Sequence, residues 1–243
     1  MRRVAVKFDC TLKKRLSSSK WHHMQSMDVY SKAARIQKYR CRSAFKLLQI
    51  EDSFNVFSGV KRVVDFGAAP GSWSQVAVQK VRSDPSIIQV LSVDVMDYSQ
   101  VPGAHHLTKT SIEDTDVIEE AMHKLWEGRK PQLVLSDMLH RVAGEGSYDH
   151  VNSIKLCSQV LKFSLGHLQD RGSVVMKIYQ GPHEKDLVLL LEKYFRSVTR
   201  FKPAASRSQS REHYLVSKGF RRGEAEYKAQ DDPDDYHLTN ELD

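Results

Sequence analysis

Apolar residues fall along the chain in short continuous runs that alternate with sets spaced every three or four positions, the pattern of strands alternating with helices. Val63, Val64 and Phe66 read as a buried strand. After the turn from Gly67 to Gly71, helical spacing begins with Trp73, Val76, Ala77 and Val81. Further strands are predicted at Ile87 to Val93, ending in Asp94, and at Ala104 to Leu107. Others follow at Leu133 to Leu135, leading into Ser136 and Asp137, at Ser173 to Ile178, at Val198 to Phe201 and at His213 to Val216. Helices are predicted from Lys32 to Ile50, with Ala44, Phe45, Leu47, Leu48 and Ile50 as the apolar face, and over Asp114 to Trp126, His150 to Leu168 and Lys185 to Phe195. This order predicts an α/β fold: a doubly wound, mostly parallel seven-stranded sheet in which the last two runs form an antiparallel pair at one edge.

Composition adds boundaries to this picture. With 243 residues, 40% of them hydrophobic, the chain can bury one sizeable core, and no linker-like stretch interrupts residues 40 to 220. We expect a basic arm over residues 1–37, one domain over 38–220 and an acidic, disordered tail over 221–243, where Asp231, Asp232, Asp234 and Asp235 cluster. No apolar run approaches the roughly 20 residues of a membrane helix, so no membrane insertion is expected. Cys10, Cys41 and Cys157 are too few and too scattered for a disulfide framework or a zinc site, and a reducing compartment and no bound metal are expected. The net charge of +7 is concentrated in the arm. Its Lys, Arg and Ser suit a polyanion-binding extension, an organelle transit segment or a solvated tail.

The candidate chemistry sits at predicted strand ends. A strand, a glycine-bounded turn and a helix together grip nucleotide-like cofactors, because glycine permits close backbone approach and the helix begins with free N–H groups. Asp94, ending the next strand, is placed to accept hydrogen bonds from ribose hydroxyls, and Asp137 occupies the carboxyl end where such sheets put ligands. Lys177 lies among apolar neighbours in a strand, a costly place for an amine without a site to serve. Lys46, inside an apolar helical stretch, is either a snorkelling lysine or a functional cation. The turn spacing G-A-A-P-G departs from the G-x-G-x-x-G of nicotinamide enzymes and suits S-adenosylmethionine, which has no pyrophosphate to cradle.

Several stretches carry a family resemblance: Y-R-C-R-S-A-F-K-L at 39–47, D-F-G-A-A-P-G-S-W-S-Q-V at 65–76, S-D-M at 136–138, V-V-M-K-I-Y-Q-G at 174–181 and K-P-A-A-S-R-S-Q-S-R-E-H-Y at 202–214. In this order they resemble the FtsJ/RrmJ family of ribosomal RNA 2'-O-ribose methyltransferases. The resemblance implies a catalytic tetrad of Lys46, Asp137, Lys177 and Glu212, with Lys177 as the base. It implies S-adenosylmethionine contacts from Gly71, Trp73, Asp94 and Asp137, in a turn that also holds Gly67, Ala68, Pro70 and Ser72. It implies ribosomal RNA or the large ribosomal subunit as partner, and we expect a monomer. The basic arm is similar to that of the mitochondrial branch, which acts on a uridine of the peptidyl-transferase loop; a cytoplasmic or nuclear site is the alternative. The chain departs from the family at Leu139-His140-Arg141 after the aspartate, at Thr110 or Ser111 where an acid usually contacts adenine, and at Gln169-Asp170-Arg171-Gly172. These departures leave open a transfer RNA or messenger-cap methyltransferase with the same tetrad, and a ribosome-assembly factor that binds RNA with little activity.

Overall fold

A computed structural model describes residues 29–81, 88–139 and 146–222. Most of the basic arm, the loop with His140 and Arg141, and the acidic tail lie outside the described residues. The first element, α1, covers residues 29–36, inside the stretch expected to be arm, and it is seated on the fold: Ala34 is buried and the Tyr30 ring lies 5.5 Å from that of Phe45.

The continuous helix expected from Lys32 to Ile50 is two helices. Lys38 has a φ of 60°, and Lys38 and Tyr39 close the end of α1 with N–H bonds to the carbonyls of Arg35 and Ala34. The chain then re-forms a helix, α2, at Ala44–Phe54. The break follows from a tertiary anchor: the Arg40 guanidinium donates to the carbonyls of Pro70, Ser99 and Gln100, which a helix continuing straight through Arg40 would not reach.

The remaining elements alternate as the pattern predicts: β1 Val63–Phe66, α3 Ser72–Val81, β2 Val90–Asp94, β3 Ala104–Thr108, α4 Thr115–Trp126, β4 Leu133–Ser136, α5 Gly146–His167, β5 Ser173–Tyr179, α6 Glu184–Tyr194, β6 Phe195–Phe201 and β7 Glu212–Phe220. Their strand order is β3-β2-β1-β4-β5-β7-β6. The five strands from β3 to β5 are parallel, and β7 runs antiparallel between β5 and β6. Because β2 and β3 lie to one side of β1 and β4 onward to the other, the winding reverses between β1 and β4. That is the position at which open α/β sheets bind ligands outside their carboxyl ends.

Strand alternation sorts side chains onto two cores. Val64, Phe66, Leu91, Val93 and Val134 face α4, α5 and α6, whereas Val63, Val90, Leu133, Leu135 and Val175 face α2 and α3. All four residues of β1 and β4 are buried, as strands covered on both faces must be. Each large side chain so buried contributes ~1.5–3 kcal/mol, which fixes the sheet as a rigid base for its loops.

Candidate active site

Two polar strand positions and one helix start converge at the carboxyl edge of β4 and β5. Asp137 leaves β4 just beyond Ser136, and the register pairs Ser136 with Met176, so Lys177 is level with Asp137. The Lys177 ammonium lies 3.0 Å from Asp137 Oδ1 and also donates to the Asp137 carbonyl. Its side chain is 7% exposed, so the amine is held in the interior by that one residue. Opposite Lys177 across the antiparallel pair stands Tyr214, whose hydroxyl donates to Asp137 Oδ1 at 2.8 Å.

The N-terminus of α2 completes the cluster. Ser43 is the N-cap, yet its hydroxyl makes no capping bond; it donates to Asp137 Oδ2 at 2.6 Å. The Ser43 carbonyl accepts the Trp73 indole N–H at 3.0 Å, and the Trp73 ring packs 5.5 Å from Tyr214. Lys46, in the first turn of α2, pairs with Glu212 Oε1 at 2.6 Å and lies 5.9 Å from the Tyr214 ring centroid. Lys46, Asp137, Lys177 and Glu212 are thus brought together as two lysine–carboxylate pairs, with Tyr214 between them.

The electrostatics follow from this enclosure. Burial alone would push the Asp137 carboxyl up. The charges of Lys177 and Lys46, with the hydrogen bonds from Ser43 and Tyr214, outweigh it and leave the group below its ordinary value. Burial, together with the nearby Asp137 and Glu212 charges, pushes the Tyr214 phenol well above its ordinary value, so it remains a donor.

Among the described residues, cavities open on two sides of the cluster. The first, of about 490 Å³, is bounded by Gly67, Ala69, Asp94, Asp137 and the apolar side chains of Ile112, Met138, Leu139 and Leu156. Asp94 is oriented by the backbone: Ala69 N–H donates to Oδ2 at 2.8 Å and Met96 N–H to Oδ1 at 2.7 Å. Each oxygen retains a further lone pair for a hydroxyl. A vicinal diol on Asp94 and a flat heterocycle between apolar side chains match what S-adenosylmethionine presents, and the volume lies within the ~300–1,000 Å³ of small-ligand sites. Thr110, Ser111, Lys155 and Gln159 also border this space.

Of the residues expected at the cofactor, Gly67, Asp94 and Asp137 stand in this wall. Ala68, Pro70, Gly71, Ser72 and Trp73 are not part of it. Trp73 is 2% exposed and props Ser43 and Tyr214 from below. The geometry adds Ser43 and Tyr214 to the residues around Asp137. Tyr214 had a sequence signal, since it lies two positions from Glu212 on one strand face; Ser43, 94 positions from its partner, had none.

The second cavity, about 810 Å³, opens on the other side and shares Leu139 with the first. It is walled by Lys46 and Glu212, by Arg42, Arg207 and Arg211, and by Tyr179. Arg42 is fixed by a bond to the Ala205 carbonyl at 2.7 Å and lies 5.7 Å from the Tyr30 ring centroid. Among the described residues, no group of three or more His, Cys, Asp or Glu side chains is arranged to hold a metal ion. No helix there is long and apolar enough to cross a membrane.

The chain is similar to known proteins in sequence and fold. Ribosomal RNA large subunit methyltransferase E of Rhizobium etli is 36% identical over 221 residues, covering 90% of each chain. The protein of the same name from Rhizobium meliloti is 35% identical over 209 residues, covering 86% of this chain and 84% of its own. The crystal structure of a ribosomal RNA methyltransferase from Plasmodium falciparum superposes with a TM-score of 0.67 at 25% identity, over 75% of this chain and 98% of that one. The profile of the FtsJ-like methyltransferases matches residues 39–220, a span that holds the lining of both cavities and the two lysine–carboxylate pairs, and the chain belongs to that S-adenosylmethionine-dependent family.

Proposed function

We propose that this enzyme methylates a ribose 2'-hydroxyl of large-subunit ribosomal RNA, with Lys177 as general base. The observation that carries the proposal is the joined pair of lysine–carboxylate contacts, in which Asp137, the partner of Lys177, borders a cofactor-sized cavity while Lys46 and Glu212 border a larger one walled by arginines. The names of the relatives support ribosomal RNA as substrate. The basic segment before residue 29 supports a mitochondrial location and, through the branch it resembles, a uridine target.

Asp94 and the Gly67 turn would hold the cofactor, which supplies a methyl group already activated on a sulfonium. The chain's own work is alignment and proton removal. Arg42, Arg207 and Arg211 receive phosphates of the RNA and set the ribose against Lys46 and Lys177. Once its ammonium has given up a proton to solvent, Lys177 takes the 2'-hydroxyl proton, and Asp137 pairs with the ammonium so re-formed. Lys46, held by Glu212, places a second cation beside the oxygen as negative charge develops on it. A positioned base contributes about 10²–10⁴-fold to such a step.

Lys177→Ala tests the assignment. Methyl transfer to a large-subunit RNA fragment is expected to fall by at least about 10²-fold, with S-adenosylmethionine affinity by calorimetry unchanged. Near-normal turnover would remove Lys177 from the role of base, and transfer RNA and capped RNA assayed in parallel identify the preferred substrate.

A further inference from the structure

The other end of the sheet carries a concentration of cations that the reaction does not use. Since β6 runs with β5 and β7 against it, the amino ends of β1, β4, β5 and β6 meet the carboxyl end of β7 at this edge. Arg62 precedes β1 and donates to the Lys130 carbonyl and to Gln169 Oε1. Lys218 donates to the Phe54 carbonyl. These acceptors satisfy donors but carry no net charge. Lys130 and Arg222 reach the carbonyls that end α5, an ordinary place for a cation.

Lys61, Arg171 and Arg196 differ: all three are exposed, and Lys61 and Arg196 have no carboxylate partner among the described residues. Arg171 has only the exposed Asp170 at 3.8 Å, a pair worth little in water. A cleft of about 510 Å³ opens between β5, β6 and the turn after α2, and Arg171, Arg196 and Lys218 line it with one carboxylate, Asp170. At the active-site edge, by contrast, Lys46 and Lys177 each have their own carboxylate.

We propose that this edge is a second RNA-binding surface, which takes the phosphodiester backbone of a segment distinct from the one that carries the target ribose. The inference rests on the reading of the substrate as ribosomal RNA. The two edges are separated by the length of β5, about 20 Å at ~3.3 Å per residue. A short hairpin seated in the active site leaves the cleft edge free, whereas a long folded RNA presents phosphates to both.

The test uses the full chain with Lys61→Gln, Arg171→Gln and Arg196→Gln combined; each of these side chains is exposed. Binding to a long large-subunit RNA is measured across salt, beside methyl transfer to a short hairpin containing the target. The slope of log affinity against log salt is expected to become shallower by about 2 units, since each lost phosphate contact removes about 0.7–0.9. Turnover on saturating hairpin should be unchanged. An unaltered slope on the long RNA, or an equal loss of affinity for both RNAs, overturns the proposal. In the wild-type chain, acetylation of Lys61 should be blocked by the long RNA and not by the hairpin; equal reactivity in both complexes also overturns it. If the wild type transfers no methyl to ribosomal RNA, the substrate reading fails by itself, and the slope and acetylation still report on the surface.

Discussion

At the scale of single residues the site is ordered by Asp137, which collects Lys177, Ser43 and Tyr214. Ser43 is informative because its hydroxyl serves the site rather than its own helix. A capping serine replaced by alanine usually costs α-helical proteins about 1 kcal/mol, but here no capping bond exists to be lost. Ser43→Ala is therefore expected to cost only the bond to Asp137, about 1.5–3 kcal/mol for a hydrogen bond to a charged group, and to lower kcat, because Asp137 loses a donor that favours its ionised form and fixes its carboxylate plane. Tyr214→Phe should act similarly on kcat, since Phe keeps the stack on Trp73 and removes only the hydroxyl. Circular dichroism melts beside steady-state kinetics check both; a Ser43→Ala loss of stability with unchanged kcat would return Ser43 to a capping role.

At the scale of elements, what sequence made legible was local. The strand, glycine turn and helix of β1 and α3 lie within residues 63–81, and their apolar spacing is written contiguously. Lys177 stood out because an amine in a buried strand demands a reason, and its level position beside Asp137 follows from neighbouring parallel strands. Two features were not legible because they are made by distant contacts. The break at Lys38 depends on Arg40 reaching the carbonyls of Ser99 and Gln100, and nothing in Arg35 to Arg42 announces it. The link of Trp73 to the cluster, through the Ser43 carbonyl and the Tyr214 ring, likewise joins residues 30 and 141 positions apart.

The turn itself yields a prediction at this scale. Gly67 has a φ of 69°, and a Cβ there would lie 2.8 Å from Met138 Cα and 2.9 Å from Met138 N, backbone atoms at the end of β4. Gly67→Ala must strain the turn or push β1 and β4 apart, so it is expected to cost about 1–3 kcal/mol and to weaken S-adenosylmethionine binding, both read by calorimetry. Gly166→Ala is the contrast. A Cβ there meets nothing within 4 Å, and stability should rise by about 0.5 kcal/mol.

For the whole molecule, the balance of buried titrating groups sets how stability varies with pH. Asp65 is fully buried on the α3 side of β1, where Ser74 donates to Oδ2 at 2.6 Å and Oδ1 has no partner. Burial, reinforced by the charges of Asp137 and Asp94 and only partly offset by Ser74, raises its pKa from 3.8 to about 7. Between these values the folded chain holds a proton that the unfolded chain has released, so this group's contribution is complete below about pH 4 and is lost as pH rises toward 7. His106, His150 and His167 act in the opposite sense. Burial lowers all three, so their contribution is present above their ordinary value and is lost as pH falls below it. Asp137, also lowered, follows the same sense at more acid pH. The two trends oppose each other from about pH 5 to 7, so the wild-type Tm should vary less there than either trend alone would make it. Asp65→Asn removes the descending limb and keeps an acceptor for Ser74. Its Tm relative to wild type is therefore expected to climb from pH 5 to pH 8, leaving the histidine limb exposed as a rise toward neutrality. Melting curves recorded across that range decide the matter: wild-type and variant Tm values that stay parallel would mean that Asp65 is already ionised in the fold at pH 5.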